Sequence, residues 1–191
     1  MIKYIKRFFK FIGLRRQTME SILDYSFNNL ITHIPNRFVR LSYLRLFNKN
    51  IHRSAVILMH TRILSFWKIQ IDDGVVINQY CLLDCRVNRI SIGTCSDVGP
   101  YTHIWTLGHS PDSETHAAYG GDVVIGHHVW IASRATILPN INLANGTVVA
   151  AGSVVVRSTS ENDIVAGNPA RVTRKRINDL NYRLNFNPIL Q

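Results

Sequence analysis

The sequence contains no unbroken run of about 18 apolar residues, so no segment is predicted to cross a bilayer as a simple helix. Glycine is scarce, at 11 of 191 residues, which excludes a collagen-like chain. The chain has only three cysteines, Cys81, Cys85 and Cys95, so they cannot all pair in disulfides, and their spacing matches no zinc motif. We therefore expect a reducing compartment. The N-terminus lacks an apolar stretch followed by a small-residue cleavage site, so we expect no signal peptide and a cytoplasmic protein.

The chain has the composition of one folded domain, with 46% hydrophobic and 18% charged residues. Its net charge of +10 is unevenly distributed, because residues 1–50 carry +8 and residues 51–191 only +2. The charge therefore belongs to an N-terminal segment, and no nucleic-acid partner is predicted. We divide the chain into a basic helical segment (1–50), a repeat domain (51–170) with a protruding loop (109–124), and a basic C-terminal tail (171–191).

The first 16 residues are predicted to form an amphipathic helix, because aromatic and aliphatic residues share one side while Lys3, Lys6, Arg7 and Lys10 share the other. Such a helix is typical of a membrane interface, which would place the protein peripherally at the inner face of the cytoplasmic membrane. The same pattern also suits a helix that docks on the rest of the protein. Two more helices are predicted at about 18–33, stopped by Pro35, and at about 36–47.

From residue 51 onward, aliphatic residues recur at steps of six. Neither a helix nor a single strand produces a sustained period of six, whereas a solenoid of short strands does. Extra residues enter only after every third hexapeptide, which predicts a mainly β, three-sided solenoid of about five coils with insertions at a single vertex. The aliphatic positions are Ile51, Ile57, Ile63, Ile71, Ile77, Leu83, Ile92, Val98, Ile104, Ile125, Ile131, Ile137, Leu143, Val149 and Val155.

This pattern resembles the left-handed parallel β-helix of the hexapeptide-repeat acyltransferases. The strings WTLGHSPD at 105–112, VWIA at 129–132, AAGSVV at 150–155 and AGNPAR at 166–171 strengthen the resemblance. They are most similar to the bacterial polysaccharide and sugar O-acetyltransferases, which include capsule, O-antigen, exopolysaccharide, galactoside and maltose enzymes. The resemblance implies an acetyl-CoA co-substrate and a homotrimer with active sites between subunits. The chain departs from the family at Asn140, where relatives commonly place glycine; asparagine tolerates a positive φ next best, so we expect the turn to survive.

The resemblance assigns His109 as the general base that deprotonates a sugar hydroxyl. Asp112 or Glu114 could orient its imidazole, and Asp112 could also contact the acceptor. Asn78 and Asp84 are further candidates for contacts with the acceptor sugar. No vertical stack of histidines is predicted, since His103, His109 and the pair 127–128 fall on different faces, so no metal is expected.

The resemblance also implies a set of cofactor contacts. Trp130 points outward and would line the acyl or acceptor pocket, or else pack between subunits. Ser133 and the backbone N–H of Ala151 match positions beside the thioester. Three arginines match positions that contact the nucleotide end of coenzyme A, because guanidinium donates two parallel hydrogen bonds to phosphate; the alternative is a solvated basic tail. They are Arg157, Arg171 and Arg174.

The leading hypothesis is an acetyl-CoA-dependent O-acetyltransferase that acts on a bacterial surface polysaccharide or its precursor. A streptogramin-type antibiotic acetyltransferase or a small-sugar acetyltransferase would share the cofactor and the base. A third hypothesis, from a different class, is a non-catalytic solenoid adaptor at the membrane, which predicts no binding of acetyl-CoA.

Overall fold

The computed structural model of the protein describes residues 15–191. Two helices come first, α1 (Arg16–Asn29) and α2 (Arg37–Phe47), with a short 3-10 helix at Ile31–His33 between them. Asn36 caps α2, because its side-chain oxygen accepts a hydrogen bond of 2.9 Å from the backbone N–H two residues later. The segment predicted as one helix over 18–33 is divided in two, because the backbone at Leu30 (φ −123°, ψ −61°) leaves the helical region. Neither α1 nor α2 is long and apolar enough to span a membrane.

The amphipathic helix predicted over residues 1–16 lies, except for its last two residues, outside the described part of the chain.

Eighteen short strands follow the helices within residues 15–191. They are β1 (Val56–Ile57), β2 (Arg62–Leu64), β3 (Ile69–Ile71), β4 (Val76–Ile77), β5 (Leu82–Asp84), β6 (Ile90–Ile92), β7 (Asp97–Val98), β8 (His103–Trp105), β9 (Leu107–His109), β10 (Ala118–Gly120), β11 (Val123–Ile125), β12 (Trp130–Ile131), β13 (Thr136–Ile137), β14 (Asn142–Leu143), β15 (Val148–Val149), β16 (Val154–Val155), β17 (Asp163–Gly167) and β18 (Ala170–Lys175).

Most of these strands form three parallel sheets, and from β1 to β8 and β11 to β16 successive strands enter the three sheets in turn. The first sheet has the order β1-β4-β7-β12-β15-β17-β18, the second β2-β5-β8-β13-β16, and the third β3-β6-β11-β14. Two pairings are antiparallel: β18 folds back on β17, and β9 pairs with β10 in a separate hairpin. The fold is therefore mainly β, with helices at the N-terminal side of three parallel sheets.

The aliphatic residues at steps of six form the core between the sheets. Each is at most 2% exposed, and all belong to one buried cluster. Ile131, for example, lies in register between Val98 and Val149 on the neighbouring strands of the first sheet. The predicted hexapeptide register is thereby confirmed, and burying each such side chain contributes about 1.5–3 kcal/mol.

The extra residues that interrupt the register all lie between a strand of the second sheet and the next strand of the third. They form the 3-10 helix Phe66–Lys68, the turn between β5 and β6, and the segment between β8 and β11. The predicted single position for insertions is thereby confirmed. The structure adds one feature to the predicted loop 109–124, because β10 lies inside it and pairs with β9.

Neighbouring strands of one sheet approach closely at the turns that follow them. Asn140 has a φ of +61°, so the asparagine found in place of the usual glycine adopts the left-handed conformation, as the sequence predicts. At Gly99, an added Cβ would lie 2.7 Å from the carbonyl oxygen of Ile131 and 2.8 Å from the backbone nitrogen of Ser133. No side chain fits there without separating the two turns.

Helices α1 and α2 pack against the first strands, β1 and β2. The side chain of Asn28 accepts a hydrogen bond from Ile63 N at 2.8 Å and donates one to Ile63 O at 3.1 Å, so it pairs with β2 as a neighbouring strand would. Arg40 is fully buried; its Nε donates to Ile57 O at 3.0 Å, and its two terminal nitrogens donate to the carbonyl oxygens of Ile34 and Gln191. Desolvation lowers the pKa of Arg40 to about 10, which still leaves it charged at neutral pH.

The segment 176–191, which we call the strap, runs from the last strands back to the helices. At its start, Arg176 Nη1 donates to the carbonyl oxygen of His128 at 2.9 Å. Further along, the Arg183 guanidinium pairs with Asp73, and Leu184 packs against a small buried apolar cluster at the start of the first sheet. Residue 190 then forms an antiparallel bridge with residue 36. The strap therefore connects the two ends of the stacked strands.

Candidate active site

His109 ends β9, the first strand of the antiparallel hairpin, and its side chain is exposed. Its Nδ1 lies 2.9 Å from the carbonyl oxygen of His116. Since a carbonyl oxygen only accepts hydrogen bonds, Nδ1 must be the donor. In the neutral imidazole the lone pair then belongs to Nε2, which is the arrangement that a general base requires.

The sequence offers the carboxylates of Asp112 and Glu114 as groups that could orient the imidazole, but in the structure neither accepts the hydrogen bond from Nδ1 of His109. The backbone carbonyl of His116 occupies that position, and both carboxylates lie on the exposed part of the hairpin loop. The role of Asp112 in binding an acceptor stays a prediction.

A groove of about 620 Å³ lies on the outward face of the first sheet. One side of it is formed by outward side chains of β12, β15 and β17 and by the turns after β12 and β15. The other side is formed by the end of β18 and the start of the strap. Its lining includes Trp130, Ala132, Val148, Ala151, Arg174 and Arg176. An apolar wall that faces two guanidinium groups suits an extended ligand that is apolar in one part and anionic in another.

The structure brings three of the six predicted cofactor residues to this groove: Trp130, whose side chain is 47% exposed, Ala151 and Arg174. The other three lie outside its lining. Ser133 is half-buried in the turn after β12, while Arg157 and Arg171 are exposed after β16 and on β18. Their contacts with a cofactor stay predictions.

His109 is also absent from the lining of the groove. It follows the second sheet, in the connection toward the third, whereas the groove lies on the first sheet. One chain therefore presents the predicted base and the predicted cofactor groove on different parts of its surface.

Asn78 and Asp84, predicted to contact the acceptor, lie in the turn after β4 and at the end of β5, and both are engaged by neighbours. Asn78 Nδ2 donates to Asp97 Oδ1 at 2.9 Å and to the carbonyl oxygen of the following residue in that strand at 3.0 Å. Asp84 is 2% exposed and pairs with Arg86 at 2.7 Å. Burial acts to raise the pKa of Asp84, but the hydrogen bonds and charge of Arg86 hold it below its usual value. Their role in acceptor binding stays a prediction.

Asp97 is a carboxylate that the sequence reasoning missed. It lies on the outward face of the first sheet, in register with Val76 on one side and Trp130 on the other. Desolvation raises the pKa of Asp97, and the hydrogen bond from Asn78 offsets part of that effect. The sequence signal was an acidic residue at a hexapeptide position that is apolar in the neighbouring coils.

The described residues contain no cluster of three or more histidine, cysteine or acidic side chains arranged to hold a metal ion. All three cysteines are buried free thiols. Burial raises the pKa of Cys81 to about 12, so its thiol is not a nucleophile at neutral pH.

Comparison with known proteins identifies the class. No family model matches the chain. However, it is 32% identical over 142 residues to the "Putative colanic acid biosynthesis acetyltransferase WcaF" of Escherichia coli K12, a match that covers 72% of this chain and 75% of WcaF. A chloramphenicol acetyltransferase of Agrobacterium fabrum is 44% identical over 113 residues, which cover 56% of this chain and only 54% of that protein.

Among solved structures, a maltose O-acetyltransferase from Clostridium difficile 630 superposes with a TM-score of 0.74 at 27% identity, covering 84% of this chain and 86% of that one. The chain belongs to the hexapeptide-repeat acetyltransferase family.

Two site residues gave no clear signal in the sequence. His116 contacts His109 only because the hairpin returns the chain to it. Arg176 belongs to the predicted basic C-terminal tail, but its place in the groove depends on the strap, which follows β18 and turns toward the first sheet.

Proposed function

We propose that the protein is an acetyl-CoA-dependent O-acetyltransferase that acetylates a sugar hydroxyl of a bacterial surface polysaccharide or of its precursor. The observation that carries the proposal is the hydrogen bond from His109 Nδ1 to a backbone carbonyl, which leaves Nε2 available as a base. Membership of an acetyltransferase family and the similarity to WcaF and to a maltose O-acetyltransferase support the reaction and the sugar acceptor.

In the proposed reaction, His109 Nε2 removes the proton of the sugar hydroxyl as its oxygen attacks the thioester carbonyl. The C–O bond forms, the C–S bond breaks, and the imidazolium returns its proton to the departing sulfur, which gives free coenzyme A and the sugar ester. The backbone N–H of Ala151 makes no hydrogen bond within residues 15–191, so it is available to donate to the oxyanion. One such donor is worth about 3 kcal/mol in the transition state.

We propose that the groove on the first sheet holds acetyl-CoA. The ring of Trp130 and the alanines would contact the pantetheine and acyl part, and Ser133 would lie near the thioester. Arg174 would contact phosphate from inside the groove. The exposed guanidinium groups of Arg157 and Arg171 lie outside the lining and would reach the nucleotide end.

We further propose that the three sheets are the faces of a left-handed, three-sided solenoid of about five coils, which assembles as a homotrimer. The separation of His109 from the groove within one chain supports this assembly, since a base from one subunit could then face the groove of the next. In such an assembly Asn78, Asp84 and Asp112 would be placed to meet the acceptor. We retain the division into 1–50, 51–170 and 171–191, a cytoplasmic location, and peripheral membrane contact through residues 1–16 as parts of the proposal.

The test is His109→Ala, with His52→Ala, a distant exposed histidine, as the matched control. We expect His109→Ala to lower kcat by about two to four orders of magnitude, the usual contribution of a positioned base, while calorimetric binding of coenzyme A is retained. His52→Ala should leave kcat unchanged. A His109→Ala enzyme that keeps more than about a tenth of the activity would show that this residue is not the base.

The acceptor is identified by offering de-O-acetylated exopolysaccharide, maltose and chloramphenicol with acetyl-CoA and measuring product ester by mass spectrometry. The similarity to a chloramphenicol acetyltransferase favours an antibiotic acetyltransferase as the second candidate. Turnover of chloramphenicol alone would select that candidate. A protein that binds no coenzyme A would instead be the non-catalytic adaptor.

A further inference from the structure

We propose that His116 is a positioning residue that holds the imidazole of His109 in its productive orientation; this inference rests on the proposed role of His109 as the base. The two residues lie seven positions apart, on opposite sides of the loop that joins β9 and β10. His116 acts on His109 through two separate contacts, one from its ring and one from its backbone.

The first contact is a stack of the two rings. Their centroids are 3.8 Å apart and their planes are inclined by 11°. A parallel stack this close restricts rotation of the His109 ring about the bond that joins it to Cβ, because turning the ring out of plane would drive its edge into His116. The orientation of the ring plane is thereby limited.

The second contact is the hydrogen bond of 2.9 Å from His109 Nδ1 to the carbonyl oxygen of His116. This bond directs Nδ1 at the carbonyl oxygen of His116, and Nε2, which Cε1 separates from Nδ1, therefore points away from that oxygen. A single hydrogen bond leaves the ring free to swivel about its own direction, and the stack opposes that swivel. Together the two contacts define where the lone pair of Nε2 points.

The loop is built to hold His116 in place. Its backbone has a φ of +53°, a left-handed conformation that is uncommon for a residue with a Cβ and persists only where the surroundings impose it. Ser113 imposes it from both sides: its carbonyl oxygen accepts from His116 N at 3.2 Å, and its Oγ accepts from Ala117 N at 3.0 Å. Ala118 then pairs with His109 itself, which closes the hairpin.

The position of a base matters because proton transfer requires a short, aligned contact, and a displacement of about 1 Å can cost a factor of about 100 in rate. Removing the ring of His116 leaves the backbone hydrogen bond and removes the stack. We therefore expect a moderate loss, of about three- to tenfold in kcat, which is the population ratio that an aromatic stack of this kind maintains.

The experiment compares His116→Asn with His116→Phe. Asparagine tolerates a positive φ but has no aromatic ring, whereas phenylalanine keeps a ring that can stack and has no titratable or hydrogen-bonding group. We measure kcat and the KM for acetyl-CoA by thiol release with de-O-acetylated exopolysaccharide, and thermal melting of each variant. His116→Asn should lower kcat three- to tenfold at unchanged KM for acetyl-CoA, and His116→Phe should restore kcat to within about twofold of wild type.

Several results would overturn the inference. These are equal losses in the two variants with unchanged melting, wild-type kcat in both, or a raised KM for acetyl-CoA at unchanged kcat. If His116→Phe melts early, kcat of every variant is measured at a temperature below that melting, where all of them are folded. The double variant His109→Ala/His116→Asn separates this inference from the proposed function. If the residual kcat of His109→Ala is low and falls no further in the double variant, both are supported. If His109→Ala is active, the base assignment fails, whatever His116 does.

Discussion

Gly99→Ala offers a direct test of how closely the coils are stacked beside the proposed cofactor site. The added methyl carbon would lie 2.7 Å from the carbonyl oxygen of Ile131 and 2.8 Å from both the carbonyl carbon of Ala132 and the nitrogen of Ser133. All three neighbours are backbone atoms, which cannot rotate away as a flexible side chain would. The turn after β12 must therefore move relative to the turn after β7.

We expect Gly99→Ala to destabilise the protein by about 3 kcal/mol, at the upper end of the cost of overpacking, because rigid backbone has to shift. For a domain of this size each kcal/mol lowers Tm by about 2–4 °C, so the expected change is about 6–12 °C. Differential scanning calorimetry measures it, at equal protein concentration for all variants, since association would make Tm depend on concentration.

Gly108→Ala is the matched control, because it makes the same chemical change. At Gly108 the nearest atom to an added Cβ is the carbonyl oxygen of Tyr119, at 3.9 Å, so the methyl group makes only an ordinary van der Waals contact. This variant should be neutral or more stable by up to about 1 kcal/mol, because alanine restricts the unfolded chain. If Gly99→Ala and Gly108→Ala melt within 1–2 °C of each other, roughly the scatter of a neutral change, the close stacking argued for Gly99 is wrong.

Three further predictions concern the turns and the charges. Asp84→Asn should lower the free energy of unfolding by about 1–3 kcal/mol at pH 7, since it removes the charged partner of Arg86 from a buried position. Because the folded-state pKa of Asp84 is lowered, the difference from wild type should shrink as the pH falls below the unfolded pKa of 3.8. Urea unfolding at pH 7 and pH 3 measures this difference. Asn140→Gly should change the free energy of unfolding by no more than about 0.5 kcal/mol, whereas Asn140→Val should lower it by about 1–2 kcal/mol, because a β-branched residue resists a φ of +61°. Thermal melting compares the two variants, and equal Tm values would contradict the argument. Replacing Arg171 and Arg174 together by Ala should raise the KM for acetyl-CoA about tenfold or more and leave the KM of the acceptor unchanged, whereas an unchanged KM for acetyl-CoA would return both to a solvated tail.

The core of this fold could be predicted from sequence because its rule is local and repeated. A residue such as Ile131 is buried for the same reason as Val98 and Val149 in the adjacent coils, so each confirms the others. The same six-residue spacing also predicts that the side chain of Trp130 points outward. The left-handed turn at Asn140 was also predictable, because the family resemblance implies a glycine turn there and asparagine tolerates a positive φ.

The orientation of His109 could not be predicted in the same way. The sequence offers Asp112 and Glu114 as possible partners, whereas the acceptor is a backbone carbonyl, a group that every residue carries and no residue type signals. Its position depends on the hairpin and on the left-handed backbone at His116, and both involve contacts between residues on the two sides of the loop.

Only one of the two sides of the groove could be predicted from the sequence, for a related reason. Its sheet side follows from the repeat, whereas its other side is the start of the strap, which is held by a contact between Arg176 and His128, 48 positions apart. Nothing in the local pattern of residues 176–191 specifies that path.

The strap has a consequence for how the protein loses structure. In an ordinary stack of repeats each unit contacts only its neighbours, so the terminal units open independently of one another and at low cost. Here residue 190 is paired beside α2, and Arg183 is bound near the first coil by Asp73, so the two ends of the stack share one stretch of chain. Opening at either end therefore strains an attachment at the other. Amide hydrogen exchange in β1 and β17 should therefore report one shared opening event. The two ends of the protein should unfold together, as if they were joined, although the chain is linear.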